Sequence, residues 1–297
     1  MAGSGESMTG DRYGDYESVL ACDLCGGVAF SVVDADVDVV QCQSCEFRFV
    51  TPRPTQTEIA RAYSAPNQYD SWIAVDAARQ ALWQRRWSRV RGLKPTGRLL
   101  DVGAGLGTFV DLARQDGWTV DGTEVSETAV RYAQERYGIS LRLGQLAAVE
   151  LGTATYDIVT LWHVLEHVPS PASTLANCYE LLVPGGLLIM AMPNDGAAAH
   201  GLSLPGRAFR GLRGRPSLPR YVRLYPGAES HLSHFTPRTL RRRLAASGFV
   251  VEALNVDDAA PVRSSAGAAL FRIRTALTAL TPWNFGLEMF VVARRVV

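Results

Sequence analysis

Apolar residues fall in short continuous runs bounded by glycines and polar turns, and these runs alternate with stretches of helical period. Leu99-Leu100-Asp101-Val102 is one such run, too short for a helix and apolar enough to be a strand buried on both faces. Gly103-Ala-Gly105-Leu-Gly107 follows, and Thr108 to Gln115 then reads as a helix stopped by Gly117. The rhythm continues with a strand over Trp118 to Glu124, a helix capped by Ser126 and ended by Gly138, and strands over Leu141 to Gly144 and Tyr156 to Trp162. A helix over Pro171 to Leu182 leads into a fifth strand, Leu187 to Met192. Thr236-Pro237 starts a further helix that Gly248 stops, and Phe249 to Val256 and Leu287 to Arg294 are the last two strands. Strands alternating with helices predict an α/β fold: a doubly wound, mostly parallel seven-stranded sheet with ligands at the carboxyl ends of its strands.

The region before Arg98 has a different pattern. Glu58 to Gly92 turns helical, with Trp83, Trp87 and Val90 at i, i+4 and i+7 as a core-facing stripe. Tyr63 and Tyr69 flank Pro66-Asn67 in what reads as a loop able to cap a ligand pocket. Earlier still, Cys22-x-x-Cys25 and Cys42-x-x-Cys45 are separated by sixteen residues that include a Val-rich β-ribbon over Ser31 to Gln41. Two such knuckles present four thiolates to one tetrahedral Zn²⁺, with no open position for chemistry, so the metal is expected to be structural. The implied organisation is a disordered stretch over 1–17, a zinc ribbon over 18–52, a helical connector over 53–97 and the α/β domain over 98–297. Cys178, inside the Pro171 to Leu182 helix, reads as a core residue.

Composition narrows the function. With 47% hydrophobic and 20% charged residues in a chain of 297, extensive disorder is excluded. The 30 Lys+Arg nearly cancel the 29 Asp+Glu, which argues against a surface that coats nucleic acid or an anionic membrane. The longest apolar stretch, Leu181 to Met192, is broken by Pro184-Gly185-Gly186 and falls short of a bilayer span. Residues 1–15 lack the basic start and apolar core of a signal peptide, so a reducing cytoplasm is expected. Charge is concentrated in an insertion over 195–230, where Arg207, Arg210, Arg213, Arg215, Arg220 and Arg223 face only Asp195 and Glu229. It reads as a lid that recruits an anionic small-molecule acceptor, or as a solvated loop.

The glycine turn holds more specific information. Asp101 precedes Gly103-x-Gly105-x-Gly107, whereas dinucleotide folds space their glycines as Gly-x-Gly-x-x-Gly, and the next strand ends in Glu124, placed to hold both hydroxyls of a ribose. Asp121 is the competing acid but lies inside that strand. These features favour S-adenosylmethionine over NAD.

At this point the residues resemble the class I S-adenosylmethionine-dependent methyltransferases, a Rossmann-like family. The likeness runs from about Leu99 to Phe249 and includes Tyr156-Asp-Ile-Val-Thr-Leu-Trp-His-Val-Leu-Glu-His-Val168, Leu182-Val-Pro-Gly-Gly186 and Pro193-Asn194. It implies that Asp101, Gly103, Gly105 and Gly107 surround the methionine part of the cofactor and Glu124 the ribose. It likewise implies Gln145 and Leu146 at the adenine, and Trp162 with His163 near the sulfonium. Gln145 departs from the pattern, since many relatives place an acid there. His163 and His167, four apart, would share a face in a helix, but Glu166 and His167 read rather as stabilising the loop and helix after the fourth strand. The block Glu229-Ser-His231-Leu-Ser-His234 also resembles the corresponding part of deoxysugar C-methyltransferases, which carry a four-cysteine zinc module and a catalytic His at the position of His231. That resemblance implies His231 or His234 as general base and a glycan-precursor acceptor, such as a nucleotide-linked sugar. Two rivals stand beside it: a ribosomal RNA methyltransferase, disfavoured by Asp23, Asp34, Asp36 and Asp38 in the ribbon, and a non-catalytic S-adenosylmethionine-binding protein.

Overall fold

The structure is a computed structural model that describes residues 14–65, 69–74, 76–196, 231–257, 265–281 and 283–296. Its centre is a seven-stranded sheet in the order β12-β13-β10-β9-β6-β7-β8. The strands are β6 (Arg98–Val102), β7 (Thr119–Glu124), β8 (Arg142–Leu143), β9 (Tyr156–Trp162), β10 (Leu182–Pro193), β12 (Phe249–Asp257) and β13 (Glu288–Arg295). β6 pairs in parallel with β7 and β9, and β9 with β10, whereas β13 runs antiparallel to both β10 and β12. The chain order reverses between β6 and β9, which makes the carboxyl ends of these two strands the switch point where such sheets hold ligands.

Helices α4 (Thr108–Gln115), α5 (Glu127–Tyr137), α6 (Pro171–Leu181) and α7 (Pro237–Ala246) fill the connections, and each start is chemically marked. The hydroxyls of Ser126, Ser170 and Thr236 accept from N–H groups in the first turns of α5, α6 and α7, and Gly107 takes a left-handed conformation at the start of α4. Side chains alternate across β9. Ile158 and Trp162 pack with Trp87 and Phe109 on one face, while Val159 and Leu161 join Leu188 and Leu240 on the other.

The connector is three helices, α1 (Gln56–Tyr63), α2 (Asp70–Ala74) and α3 (Asp76–Arg91), rather than one continuous run. Tyr63 therefore ends a helix. Trp87 and Val90 of α3 do face the core. A last helix, α8 (Ser265–Leu280), joins β12 to β13.

In the ribbon, β2 (Phe30–Asp34), β3 (Val39–Cys42) and β4 (Arg48–Val50) form an antiparallel sheet, joined at its edge by β11 (Ser233–His234) from far along the chain. Cys22, Cys42, Cys45, Phe47 and Phe49 belong to the same hydrophobic cluster as Leu165, Phe235 and Leu240, so the ribbon shares a core with the α/β domain. Residues 1–13 of the expected disordered stretch lie outside the described residues, and β1 (Tyr16–Glu17) pairs with β5 (Arg53–Pro54). The arginine-rich part of the insertion, residues 197–230, also lies outside them.

Candidate active site

β6 delivers Asp101 to the floor of a cavity of about 530 Å³, where its carboxylate accepts the Thr160 hydroxyl from β9 at 2.6 Å. The turn that follows passes through left-handed backbone at Gly103, Gly105 and Gly107. A Cβ on Gly103 would sit 2.6 Å from Val164 Cγ2, and one on Gly107 2.9 Å from the Ala133 Cβ, so side chains are excluded by space as well as by conformation. The turn is tied to the end of β7: Gly105 N–H donates to Glu124 Oε2 at 2.8 Å, and Val125 and Ser126 N–H donate to Oε1. The Tyr69 hydroxyl reaches the same oxygen at 3.4 Å.

Two buried carboxylates thus line one cavity, with Arg86 in the same lining. Burial, opposed by the Thr160 hydrogen bond and reinforced by Glu124, pushes the Asp101 carboxyl up to about 7. Burial also raises Glu124, against the pull of the three N–H donors. Asp121 is not part of this floor; it meets the Tyr156 hydroxyl at 3.0 Å, with Arg98 and Arg142 nearby. Gln145 and Leu146, at the start of a short 3₁₀ turn after β8, line the cavity on the Glu124 side, and Trp162 and His163 line it beyond Asp101. Gly107 lies behind the turn and is not among the lining residues.

The segment after β9 is a loop followed by α6, so His163 and His167 do not share a helical face, and His163 takes a left-handed conformation (φ 57°). This turns the His163 ring between Glu166 Oε1 at 3.2 Å and Glu288 Oε2 at 3.4 Å. Burial opposes charge on the ring, yet the two carboxylates raise it to about 9. Arg86 Nη2 also stands 3.0 Å from His163 Nε2, a contact that needs an unprotonated nitrogen and so conflicts with the imidazolium. The imidazolium is the better description, since both ring nitrogens then face carboxylates while Arg86 bonds twice to Asp257 Oδ2, at 2.7 and 2.9 Å.

Glu166 collects the remaining groups. It is fully buried, and despite the cost of burial the nearby His163, His167 and His231 hold it down to about 2. The His167 ring stacks edge-on to His231 with centroids 4.8 Å apart, and His167 Nδ1 shares a 3.1 Å hydrogen bond with the Tyr63 hydroxyl. Tyr63, His167 and His231 all line the cavity. His234 does not; it lies in β11 opposite Arg48 of the ribbon. Sequence reasoning placed Tyr63 and Tyr69 near a pocket but missed Arg86 and Glu288, whose partners lie far away in the chain.

The four cysteines converge at the other end of the ribbon. Cys22 and Cys45 sulfurs are 3.5 Å apart, Cys25 and Cys42 3.6 Å, and all four lie within 4.8 Å of one another. Four thiolates ~2.3 Å from a tetrahedral zinc stand ~3.8 Å apart, so the donor set and spacing fit that ion. Burial raises Cys42, but the N–H groups of Ser44 and Cys45 and the neighbouring thiols bring it down to about 7. Cys178 is buried in the core.

No helix among the described residues is long and apolar enough to cross a membrane. Among solved structures, the fold is similar to a 1,6-didemethyltoxoflavin-N1-methyltransferase from Burkholderia thailandensis, with a TM-score of 0.54, 17% identity and coverage of 90% of this chain and 99% of that one. It is also similar to a magnesium protoporphyrin IX methyltransferase from Synechocystis, with a TM-score of 0.51, 17% identity and coverage of 81% and 100%. In sequence, a ubiquinone biosynthesis O-methyltransferase from Thiobacillus denitrificans is 29% identical over 57% of this chain and 71% of its own length. A second, from Pseudomonas entomophila, is 31% identical over 38% of this chain and 51% of its own length, so the match spans about half of that relative. A family model described as a methyltransferase domain matches residues 75–254, more than half of the chain, from α3 through the glycine turn to β12. The chain belongs to this methyltransferase family.

Proposed function

We propose that the protein moves a methyl group from S-adenosylmethionine to the hydroxyl of a small-molecule acceptor, with His231 taking the acceptor proton. The observation that carries the reading is the adjacency, in one cavity, of the Glu124 and Asp101 carboxylates around a left-handed glycine turn and of Tyr63, His167 and His231, with the buried Glu166 behind the two imidazoles. Glu124 suits a ribose diol, Asp101 suits the α-ammonium of the methionine part, and the backbone of Gly103 and Gly105 leaves room for that chain. Gln145 and Leu146 then fall at the adenine and Trp162 beside the sulfonium. When bound, the cofactor supplies an already electrophilic methyl.

The chain's own work is alignment, exclusion of water and removal of a proton. Trp162 and Trp83 wall the cavity with apolar surface. His231 is a half-buried member of a carboxylate–imidazole cluster that lines the cavity, beside His167 and the buried Glu166, and an imidazole there is a suitable proton acceptor. His234, turned to the ribbon, is set aside as base. The O-methyltransferase names of the relatives support a hydroxyl acceptor, and a nucleotide-linked sugar remains a member of that class. Zinc in the four-cysteine site completes the reading as a structural ion. The cytoplasm is the compartment proposed, since four reduced thiols are needed.

Calorimetry with S-adenosylmethionine, S-adenosylhomocysteine and NAD tests the cofactor: the first two should bind and NAD should not. Glu124→Ala should weaken binding ~10- to 100-fold, as expected for loss of a charged acceptor. No affinity for either sulfur ligand would refute the proposal. A mass-spectrometric screen of phenols, catechols and nucleotide sugars for a 14 Da gain then identifies the acceptor.

A further inference from the structure

We infer that the ribbon is a positioning element of the active site: through β11 it holds His231 on the cavity wall, so that metal in the four-cysteine site sets where this imidazole stands. The inference rests on the reading of His231 as base.

The connection is short and has no slack. Cys42 N–H donates to the Phe47 carbonyl at 2.8 Å, which fixes the second knuckle onto the entry to β4. β4 pairs with β11 in the register Phe49 to Ser233 and Arg48 to His234, and Val50 N–H donates to the Leu232 carbonyl at 3.0 Å. Leu232, next to His231, is wholly buried against Val39, Val50 and Ile59, two of them ribbon residues. On the opposite side, Leu232 and Ser233 N–H donate to the Glu166 carbonyl at 2.8 and 3.1 Å. The backbone at His231 is therefore clamped between the ribbon and the turn that carries Glu166 and His167. The Phe47 ring also packs on Phe235, with centroids 5.0 Å apart, which anchors the chain downstream.

Cofactor-side groups share a hydrophobic cluster with the ribbon through Leu100 and Val102 but have polar ties of their own. Asp101, Gly105 and Glu124 belong to β6, the glycine turn and β7, and are held by hydrogen bonds to Thr160 and to one another, none of them from the ribbon. Small ribbons are folded by their metal. Loss of the ion should thus release β4 and move His231 while leaving the cofactor cradle in place.

The test uses the full chain, with zinc removed by a chelator and then restored, and with Leu232→Ala as a milder variant that keeps all four cysteines. The chain has five histidines, so His231 can be assigned in the imidazole region of the NMR spectrum by comparison with His231→Gln. Expected on metal removal are a shifted His231 titration, loss of the cross-peak between the His167 and His231 rings, and S-adenosylmethionine affinity within about twofold of the holoprotein. Turnover should fall at least tenfold without a change in KM for the cofactor, and zinc should restore all of it. Leu232→Ala should retain one zinc and show the same His231 signature. An unchanged His231 signal in the zinc-free protein would overturn the inference, and so would parallel loss of cofactor affinity and circular dichroism, which would make the ribbon general scaffold. Failure of the base assignment is read separately, from full turnover by His231→Ala.

Discussion

Replacing Asp101 with Asn asks whether the cavity was built to receive a cation at the expense of the empty fold. Asp101 is 1% exposed, and burial brings its carboxyl up to about 7. In the unfolded chain the same group ionises at ~3.9. The folded-state value is the higher one, so the native protein keeps a proton that the unfolded chain gives up. Stability therefore falls as pH rises from about 4 to about 7 and levels off above that. At ~1.4 kcal/mol per pH unit, the full effect is on the order of 4 kcal/mol. Asn has the same shape, offers Thr160 the same acceptor oxygen and has no charge to bury. Asp101→Asn should accordingly exceed the wild type by ~1–2 kcal/mol at pH 5 and by ~4 kcal/mol at pH 8, read from urea denaturation at several pH values. The same variant should bind S-adenosylmethionine ~10- to 100-fold more weakly, since the α-ammonium loses its carboxylate. Wild-type affinity should also rise with pH up to about 7, because binding a cation expels the proton. A stability difference that does not vary with pH would refute this reasoning.

Three further outcomes are expected. His231→Ala should lower kcat ~10²- to 10⁴-fold with cofactor affinity unchanged, while His234→Ala should keep most turnover and lose thermal stability; stopped assays with the identified acceptor and melting curves check both. Arg86→Met removes the partner that bonds twice to the buried Asp257 and leaves it only Arg89, 3.3 Å from its other oxygen, so the cost should reach at most the ~3 kcal/mol end of the range for a broken buried pair, and Arg86→Met/Asp257→Leu should recover part of it in denaturant melts. Cys42→Ser should reduce bound zinc well below one equivalent by elemental analysis and lower soluble yield.

Features written in adjacent residues were legible before any coordinates. The β6–turn–α4 unit, Glu124 at the end of β7, the caps at Ser126 and Thr236 and the paired cysteines each announce themselves within a few positions, because turn geometry, capping and metal ligation are local demands. What stayed hidden depends on groups that meet only after folding. Arg86 and Asp257 are 171 residues apart, and neither residue type signals a partner. β11 is two residues long and has no strand pattern of its own; its pairing with β4 is decided by Leu232 entering the ribbon core. The spacing of His163 and His167 would put them on one face only in a helix; the left-handed backbone at His163 instead turns its ring between Glu166 and Glu288, and Glu288 is 125 residues away in the chain.

The position of β13 bears on how the molecule is made. β13 follows every other strand in chain order yet lies inside the sheet, between β10 and β12. Until residues 288–295 leave the ribosome, two apolar strands must wait with unsatisfied edges, and the nascent chain is a template for wrong pairing. Glu288, one of the two carboxylates that hold His163, arrives on the same strand. A chain interrupted before it would lack both the closed sheet and the Glu288 contact to His163, so a version truncated before Glu288 should be aggregation-prone rather than partly active, which solubility and turnover of that truncation would check.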